Sequence, residues 1–164
     1  MFPQALTDKA QRVLDVCQKA RRKLALAESC TGGLVCASLT ALSGSSAVVE
    51  RGFVTYSNEA KQDLLGVPEA LLRAHGAVSA EVAGAMAEGA LAHAKADLAV
   101  AITGIAGPTG GTADKPVGLV FLATASRGGE TRVERHVFSG DRTGVRLASA
   151  ERALAMLLER VESH

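Results

Sequence analysis

Ser29, Tyr56 and Lys61 are the residues whose types and settings could act together chemically: a hydroxyl nucleophile, a phenol and an amine. Ser29 sits in Leu24-Ala25-Leu26-Ala27-Glu28-Ser29-Cys30-Thr31-Gly32-Gly33, a short apolar run that ends on an acid and a hydroxyl and turns through two glycines. A serine there attacks a carbonyl if an amine takes its proton. Lys61 can do this only where burial or a neighbouring cation lowers its pKa by several units. Tyr56 would relay the proton or hold the amine in place. Plainer roles compete: Ser29 satisfying a turn, Tyr56 packing at a strand end, Lys61 an exposed helix lysine. The residue types alone leave both readings open.

Other chemistries find less support. No histidine is well placed for a Ser-His-Asp triad. His75, His93, His136 and His164 lie far apart, and none forms an i, i+4 pair with another His or a Cys, so no metal cage and no cofactor are expected. Cys17, Cys30 and Cys36 show no C-x-x-C spacing and form no even disulfide set, which points to a reducing compartment. The segment Thr103-Gly104-Ile105-Ala106-Gly107-Pro108-Thr109-Gly110-Gly111-Thr112 matches neither common phosphate-binding glycine pattern.

A length of 164 residues with 48% apolar content suits one domain with a single core. Net charge is +1 and aromatic content 3%, with no Trp and a single Tyr, which argues against nucleic acid as a partner. The basic run 19–23 reads as the solvated end of a helix. No apolar run is long enough to span a bilayer and the start lacks a signal pattern, so a cytoplasmic protein without membrane partners is expected.

These residues need elements to hold them. Leu6, Ala10, Val13, Leu14 and Cys17 share one face of a helix over 4–22. A strand at 24–27 follows, then the Ser29 turn and a helix at 33–42. The turn and helix start expose backbone N–H groups that favour an anion, unless Thr31 merely caps the helix. A small-residue loop at 43–46 leads to a strand at 47–56, where Gly52 is expected to mark a bulge. Ser57 or Asn58 caps a short helix carrying Lys61, and Pro68 opens another. Ser79 caps an alanine-rich helix at 80–95, whose Gly84 and Gly89 suggest close packing. Residues 98–102 read as a central strand leading into the glycine-rich loop. A hairpin at 119–138 and a helix from Arg142, capped by Asp141, complete the chain. The order implies a three-layer α/β/α sandwich with a mixed, mostly parallel sheet.

In that architecture the Ser29 turn, the 43–46 loop, the Tyr56 to Lys61 corner and the Gly104 loop could share one sheet edge, where open α/β sheets bind ligands. The residues themselves lead to an α/β enzyme binding a small, anionic ligand.

The motifs Ala27-Glu28-Ser29-Cys30-Thr31-Gly32-Gly33, Gly44-Ser45-Ser46, Gly52 through Lys61, Gly76-Ala77-Val78-Ser79, Thr103 through Pro108 and Lys115-Pro116-Val117-Gly118 together closely resemble the CinA carboxyl-terminal domain family. The resemblance covers roughly residues 5–160 and makes 1–164 a single domain of that type. Members consisting of this domain alone look like nicotinamide mononucleotide amidohydrolases. The resemblance therefore implies hydrolysis of the carboxamide of nicotinamide mononucleotide to nicotinate mononucleotide and ammonia, a step of pyridine nucleotide salvage.

On the family's motif Ser29 would be the nucleophile, with Lys61 and Tyr56 as base and relay. Thr31, Gly32 and Gly33 would supply oxyanion donors, and Gly44 and Ser46 would orient the amide or the nucleophile. Thr103 and Gly104 would wrap the ribose or phosphate, and Arg142 would grip the 5′-phosphate. Cys30 is a minor competitor as nucleophile. A non-catalytic nucleotide-sensing or adaptor domain linked to DNA uptake or repair is the alternative. A metal-dependent pyrophosphatase ranks low because no clustered carboxylates are present. Helix 80–95 could pack against a second copy as easily as within its own chain, so a homo-oligomer is compatible with the sequence.

Overall fold

The computed structural model describes residues 1–163, so His164 lies outside the described residues. Helix α1 (Gln4–Lys19) buries Leu6, Ala10, Val13, Leu14 and Cys17, the expected face. It stops three residues earlier than expected because Arg21 takes a positive φ of 55° and the Arg22 amide closes back on the Cys17 carbonyl. Strand β1 (Leu24–Glu28) leads through the Ser29 turn to α2 (Leu34–Thr40). A 3₁₀ turn (Ser45–Ala47) precedes β2 (Val49–Val54), followed by α3 (Asn58–Leu65), α4 (Glu69–His75) and α5 (Ala80–Ala92). Then come β3 (Leu98–Gly104), a long loop, β4 (Leu119–Ser126), β5 (Arg132–Val137) and α6 (Arg142–Glu162).

The five strands form one sheet in the order β2-β1-β3-β4-β5. Strand β1 is parallel to both β2 and β3, and β4 is antiparallel to both β3 and β5, so only β4 runs against the others. Helices cover both faces, giving the α/β/α layering.

Strict alternation along the strands makes the two faces chemically different. Leu24 and Leu26 of β1, Leu98, Val100 and Ile102 of β3, and Val120 and Leu122 of β4 point to one side, into a core closed by α1, α2 and α6. Ala25, Ala27, Ala99, Ala101, Ala123 and Ala125 point to the other, where α5 brings Ala83, Ala87 and Ala90 against them. Alanine meeting alanine lets α5 lie close to the sheet. The same closeness recurs between helices: a Cβ on Gly89 would stand 1.9 Å from the Leu65 carbonyl oxygen, so α5 passes α3 only with glycine there. Gly84, by contrast, has ordinary room beside Val133 and Thr131.

The expected bulge at Gly52 lies elsewhere. Gly52 pairs regularly with Leu26, and the register slips between Leu24 and Ala25, skipping Glu50. What Gly52 accommodates is the Cys36 thiol, 3.0 Å from where its Cβ would be.

Candidate active site

Parallel pairing of β2, β1 and β3 puts their carboxyl ends at one edge. There the chain leaves β1 for α2, which packs on the α1 and α6 side, and leaves β2 for α3, which packs against α5 on the other. Departures to opposite faces open a crevice, the usual ligand site of an open α/β sheet.

Ser29 stands at its floor. Its amide donates to the Ile102 carbonyl of β3 at 3.0 Å, continuing the ladder one residue past β1, and its carbonyl accepts from the Gly32 amide at 3.0 Å. Gly32 and Gly33 make the turn with φ of 58° and 99°. The amino end of α2 is capped by Glu28, whose carboxylate accepts from the Val35 and Cys36 amides at 3.0 Å each. Thr31 is not the cap, and the anion favoured by this helix start is the chain's own carboxylate. Sequence reasoning missed this role because Glu28 reaches over an intervening turn.

Lys61 arrives from the other side. Ser57 caps α3 by accepting from the Ala60 amide at 3.0 Å, which puts Lys61 one turn into the helix and facing the crevice. Its Nζ lies 3.1 Å from Ser29 Oγ and donates to the Thr55 carbonyl at 2.9 Å. Lys61 is 1% exposed and Ser29 8%, and no carboxylate pairs with the amine among the described residues. Burial without a counter-ion disfavours the ammonium and draws the pKa of Lys61 below its ordinary value, although negative charge on Cys30 would oppose this. A serine hydroxyl against a desolvated amine is a nucleophile and base in contact.

Tyr56 is placed differently from the expectation. Its side chain is 59% exposed and its hydroxyl accepts from Arg142 Nη2 at 2.9 Å, so it holds neither Lys61 nor Ser29. The Thr55 carbonyl holds the amine instead. No residue type announces a backbone carbonyl, which is why the sequence did not reveal it. Arg142, at the first turn of α6, also donates to the Gly107 carbonyl at 2.7 Å. One turn later Arg146 donates to the carbonyls of Cys30 at 3.1 Å and Thr31 at 2.9 Å, holding the Ser29 turn from above.

The cavity over Ser29 measures about 310 Å³ and is lined by Ser29, Lys61, Tyr56, Asn58, Thr103 and Arg142, with Gly104 and its loop closing one side. The Thr103 hydroxyl donates to the carbonyl of Ala77, which lines the same cavity, at 2.9 Å. Gly104 is required by the neighbouring strand: a Cβ there would meet Val120 at 2.7 Å and the Leu119 carbonyl at 2.8 Å. Of the expected oxyanion donors, the Gly32 amide is engaged with the Ser29 carbonyl, whereas the amides of Thr31 and Gly33 have no backbone acceptor. The Cys30 amide likewise has no carbonyl acceptor in the turn.

Gly44 and Ser46 are not brought to this edge within the chain. A strand parallel to β1 must start where β1 starts, and the Leu24 amide donates to the Val48 carbonyl at 2.8 Å, which fixes the 43–46 loop at the opposite edge. The length of β1 separates it from Ser29 by on the order of 15 Å. Burial pushes the Cys30 thiol up to about 11, which argues against a thiolate nucleophile. A larger depression of about 710 Å³ between α3, α4, α5 and β5 is lined by Leu65, Leu71, Gly84 and Val133 together with Glu81, Glu88 and His93, of which Glu88 accepts from the Thr131 hydroxyl and His93 is bonded to the Gly89 carbonyl. Among the described residues no group of three or more His, Cys, Asp or Glu could hold a metal ion, and no helix is long and apolar enough to cross a membrane.

The CinA C-terminal domain family matches residues 6–161. A CinA-like protein of Akkermansia muciniphila is 54% identical over 146 residues, covering 88% of this chain and 35% of its own. One from Geobacter sp. (strain M21) is 59% identical over 134 residues, 82% of this chain and 32% of its own. The chain thus spans about a third of the length of these relatives. The crystal structure of the competence/damage inducible protein CihA from Agrobacterium tumefaciens superposes with a TM-score of 0.95 at 48% identity, covering 97% of both chains. The competence damage-inducible protein A (ComA) from Klebsiella pneumoniae gives 0.92 at 38% identity, covering 96% of this chain and 97% of that one. The chain belongs to the CinA C-terminal domain family.

Proposed function

We propose that this domain hydrolyses the carboxamide of nicotinamide mononucleotide to nicotinate mononucleotide and ammonia, with Ser29 as nucleophile and Lys61 as base. The observation that carries the reading is the 3.1 Å approach of Lys61 Nζ to Ser29 Oγ, with both groups buried and the amine lacking a counter-ion. Neutral Lys61 takes the Ser29 proton as Oγ attacks the amide carbon. Negative charge develops on the amide oxygen, for which the turn after Ser29 offers the amides of Cys30, Thr31 and Gly33 that have no backbone acceptor. Collapse of the tetrahedral intermediate breaks the C–N bond, and Lys61 returns its proton to the leaving ammonia, forming an ester on Ser29. Water then attacks the ester, giving a proton to Lys61 that passes back to Ser29 Oγ as nicotinate mononucleotide leaves. The Thr55 carbonyl keeps the amine aimed throughout.

Purified protein should release ammonia from nicotinamide mononucleotide in the presence of a chelator, and Ser29→Ala and Lys61→Met should each lose that turnover. Undiminished activity in Lys61→Met removes the base assigned here. Absence of turnover in the unaltered protein, with nucleotide binding retained by calorimetry, replaces the reading with that of a sensing or adaptor domain.

A further inference from the structure

Lys115-Pro116-Val117-Gly118 ends the long loop between β3 and β4, and the chemistry at Ser29 makes no use of it. The loop is compact. Its neck continues the sheet, the Ile105 amide donating to the Leu119 carbonyl at 2.9 Å and the Gly118 amide to the Ile105 carbonyl at 2.8 Å. Inside it, a Cβ on Gly107 or Gly111 would collide with Val117, so both glycines pack directly against that residue. Thr112 and Lys115 close a tight turn: the Thr112 amide donates to the Lys115 carbonyl at 2.7 Å, and the Lys115 amide to the Thr112 hydroxyl at 3.0 Å. A loop packed on its own side chains moves as one piece. Its first half, Ile105 to Gly107 with Thr109 and Gly110, lines the Ser29 cavity.

Lys115 itself stands outside that cavity, and its amine reaches from the loop to a different wall. Nζ donates at 2.6 Å to the carbonyl of His75, the last residue of α4, where helix carbonyls lack intrahelical partners and the dipole favours a cation. Gly76 makes room for it, since a Cβ there would stand 3.1 Å from Nζ. Ala77 and Val78 follow directly, in the short connection to α5, and both line the Ser29 cavity. That connection is therefore tied twice: at Ala77 by the Thr103 hydroxyl, just before the loop begins, and at His75 by Lys115, near where the loop ends. No carboxylate lies within ion-pair distance of Lys115 among the described residues, so the helix-end carbonyl is what fixes the amine.

We propose that Lys115 is a positioning residue that clasps the 105–118 loop to the connection between α4 and α5, so that two walls of the Ser29 cavity are already joined when a ligand arrives. The assignment rests on the reading of that cavity as the amide site. Without the clasp the loop leaves the connection for part of the time, and apparent affinity falls in proportion to the fraction that stays joined. The reacting pair is untouched by the loss. Ser29 is held by the Ile102 carbonyl and Lys61 by the Thr55 carbonyl, neither of which Lys115 contacts.

Lys115→Met keeps the aliphatic stem and loses the donor, whereas Lys115→Arg keeps both charge and donor. In ammonia release from nicotinamide mononucleotide, Lys115→Met should raise KM roughly tenfold and leave kcat within about twofold, the loss expected for one hydrogen bond from a charged donor that acts on binding alone. Lys115→Arg should stay within about threefold of the unaltered KM. The urea midpoint of Lys115→Met should match that of the unaltered protein, while its hydrogen exchange quickens over residues 105–118 and 76–79 and is unchanged in β1 and α3. An unaltered KM, a loss confined to kcat, a lowered urea midpoint, or an arginine variant as impaired as the methionine one would each overturn the proposal. Exchange that stays the same in the two segments would overturn it as well. Failure of the unaltered protein to release ammonia would instead defeat the amide reading; quickened exchange in Lys115→Met would still uphold the clasp, and unchanged exchange would still remove it.

Discussion

Burial of the Lys61 amine pulls catalysis and stability in opposite directions. The base must be neutral, so turnover should rise with pH through a lysine pKa that lies below the ordinary value of about 10.4. Arginine cannot shed its proton in a protein, so Lys61→Arg should lose roughly 10² to 10⁴-fold in kcat across the whole range. For folding, the unfolded chain binds the Lys61 proton more tightly than the native one. Stability therefore increases with pH from the depressed native pKa up to about 10.4, and is reduced below that window. Lys61→Met removes the penalty: the inactive variant should melt at or above the temperature of the unaltered protein at pH 7, with the advantage shrinking as pH approaches 10. A melting series across pH checks both the sign and the window. Local pattern places Ser29 at a strand end and Lys61 in the first turn of a capped helix, but it leaves their roles open, and only the family resemblance joins the two as nucleophile and base. Arg146 could not be picked out, being one basic residue among 18. Its partners are carbonyls 115 and 116 positions away, to which no sequence periodicity refers.

Among the elements, α2 depends on Glu28 as the others do not. Its N-cap residue, Gly33, offers no side chain, and the carboxylate of Glu28 accepts from two α2 amides. Glu28→Ala should lower stability by about 2 to 3 kcal/mol in urea unfolding, since one buried and one partly buried amide lose a charged acceptor. Because Ser29 follows directly, activity should fall further than stability alone explains. The β5 to α6 contact rests on a different pair. Glu134 accepts from Arg152 Nε at 2.7 Å, and that guanidinium, with His136 beside it, holds the carboxyl down to about 2. Its contribution is present above the unfolded carboxylate value of about 4.3 and disappears as pH falls toward 2, and Glu134→Gln should cost about 1 kcal/mol at pH 7, seen as a lowered urea midpoint. The elements themselves were legible from alternation and capping. Which edge a loop occupies was not: Gly44 and Ser46 look like site residues until the parallel pairing of β1 and β2 sends their loop to the far side.

For the molecule as a whole, the unequal faces of the sheet predict unequal responses to mutation. Leu26→Ala, on the bulky face, should leave a cavity and destabilise by about 2 to 5 kcal/mol. Ala101→Leu, on the alanine face, should overpack and push α5 outward, at about 1 to 3 kcal/mol in the same unfolding assay. The layering was readable because the strands write this alternation plainly. The crevice was less so, because it arises from helices leaving opposite faces, a relation between distant segments. Burial of the thiols has a consequence for the chemistry of the chain under oxidising conditions. Cys17 and Cys30 are both pushed up to about 11, and Cys36 is raised as well. With a pKa near 11, roughly one Cys17 or Cys30 thiol in ten thousand is a thiolate at pH 7, and the thiolate is the form that peroxides and alkylating agents attack. The fold thus carries Cys17 and Cys30 in a chemically silent state, the latter in the wall of the Ser29 cavity.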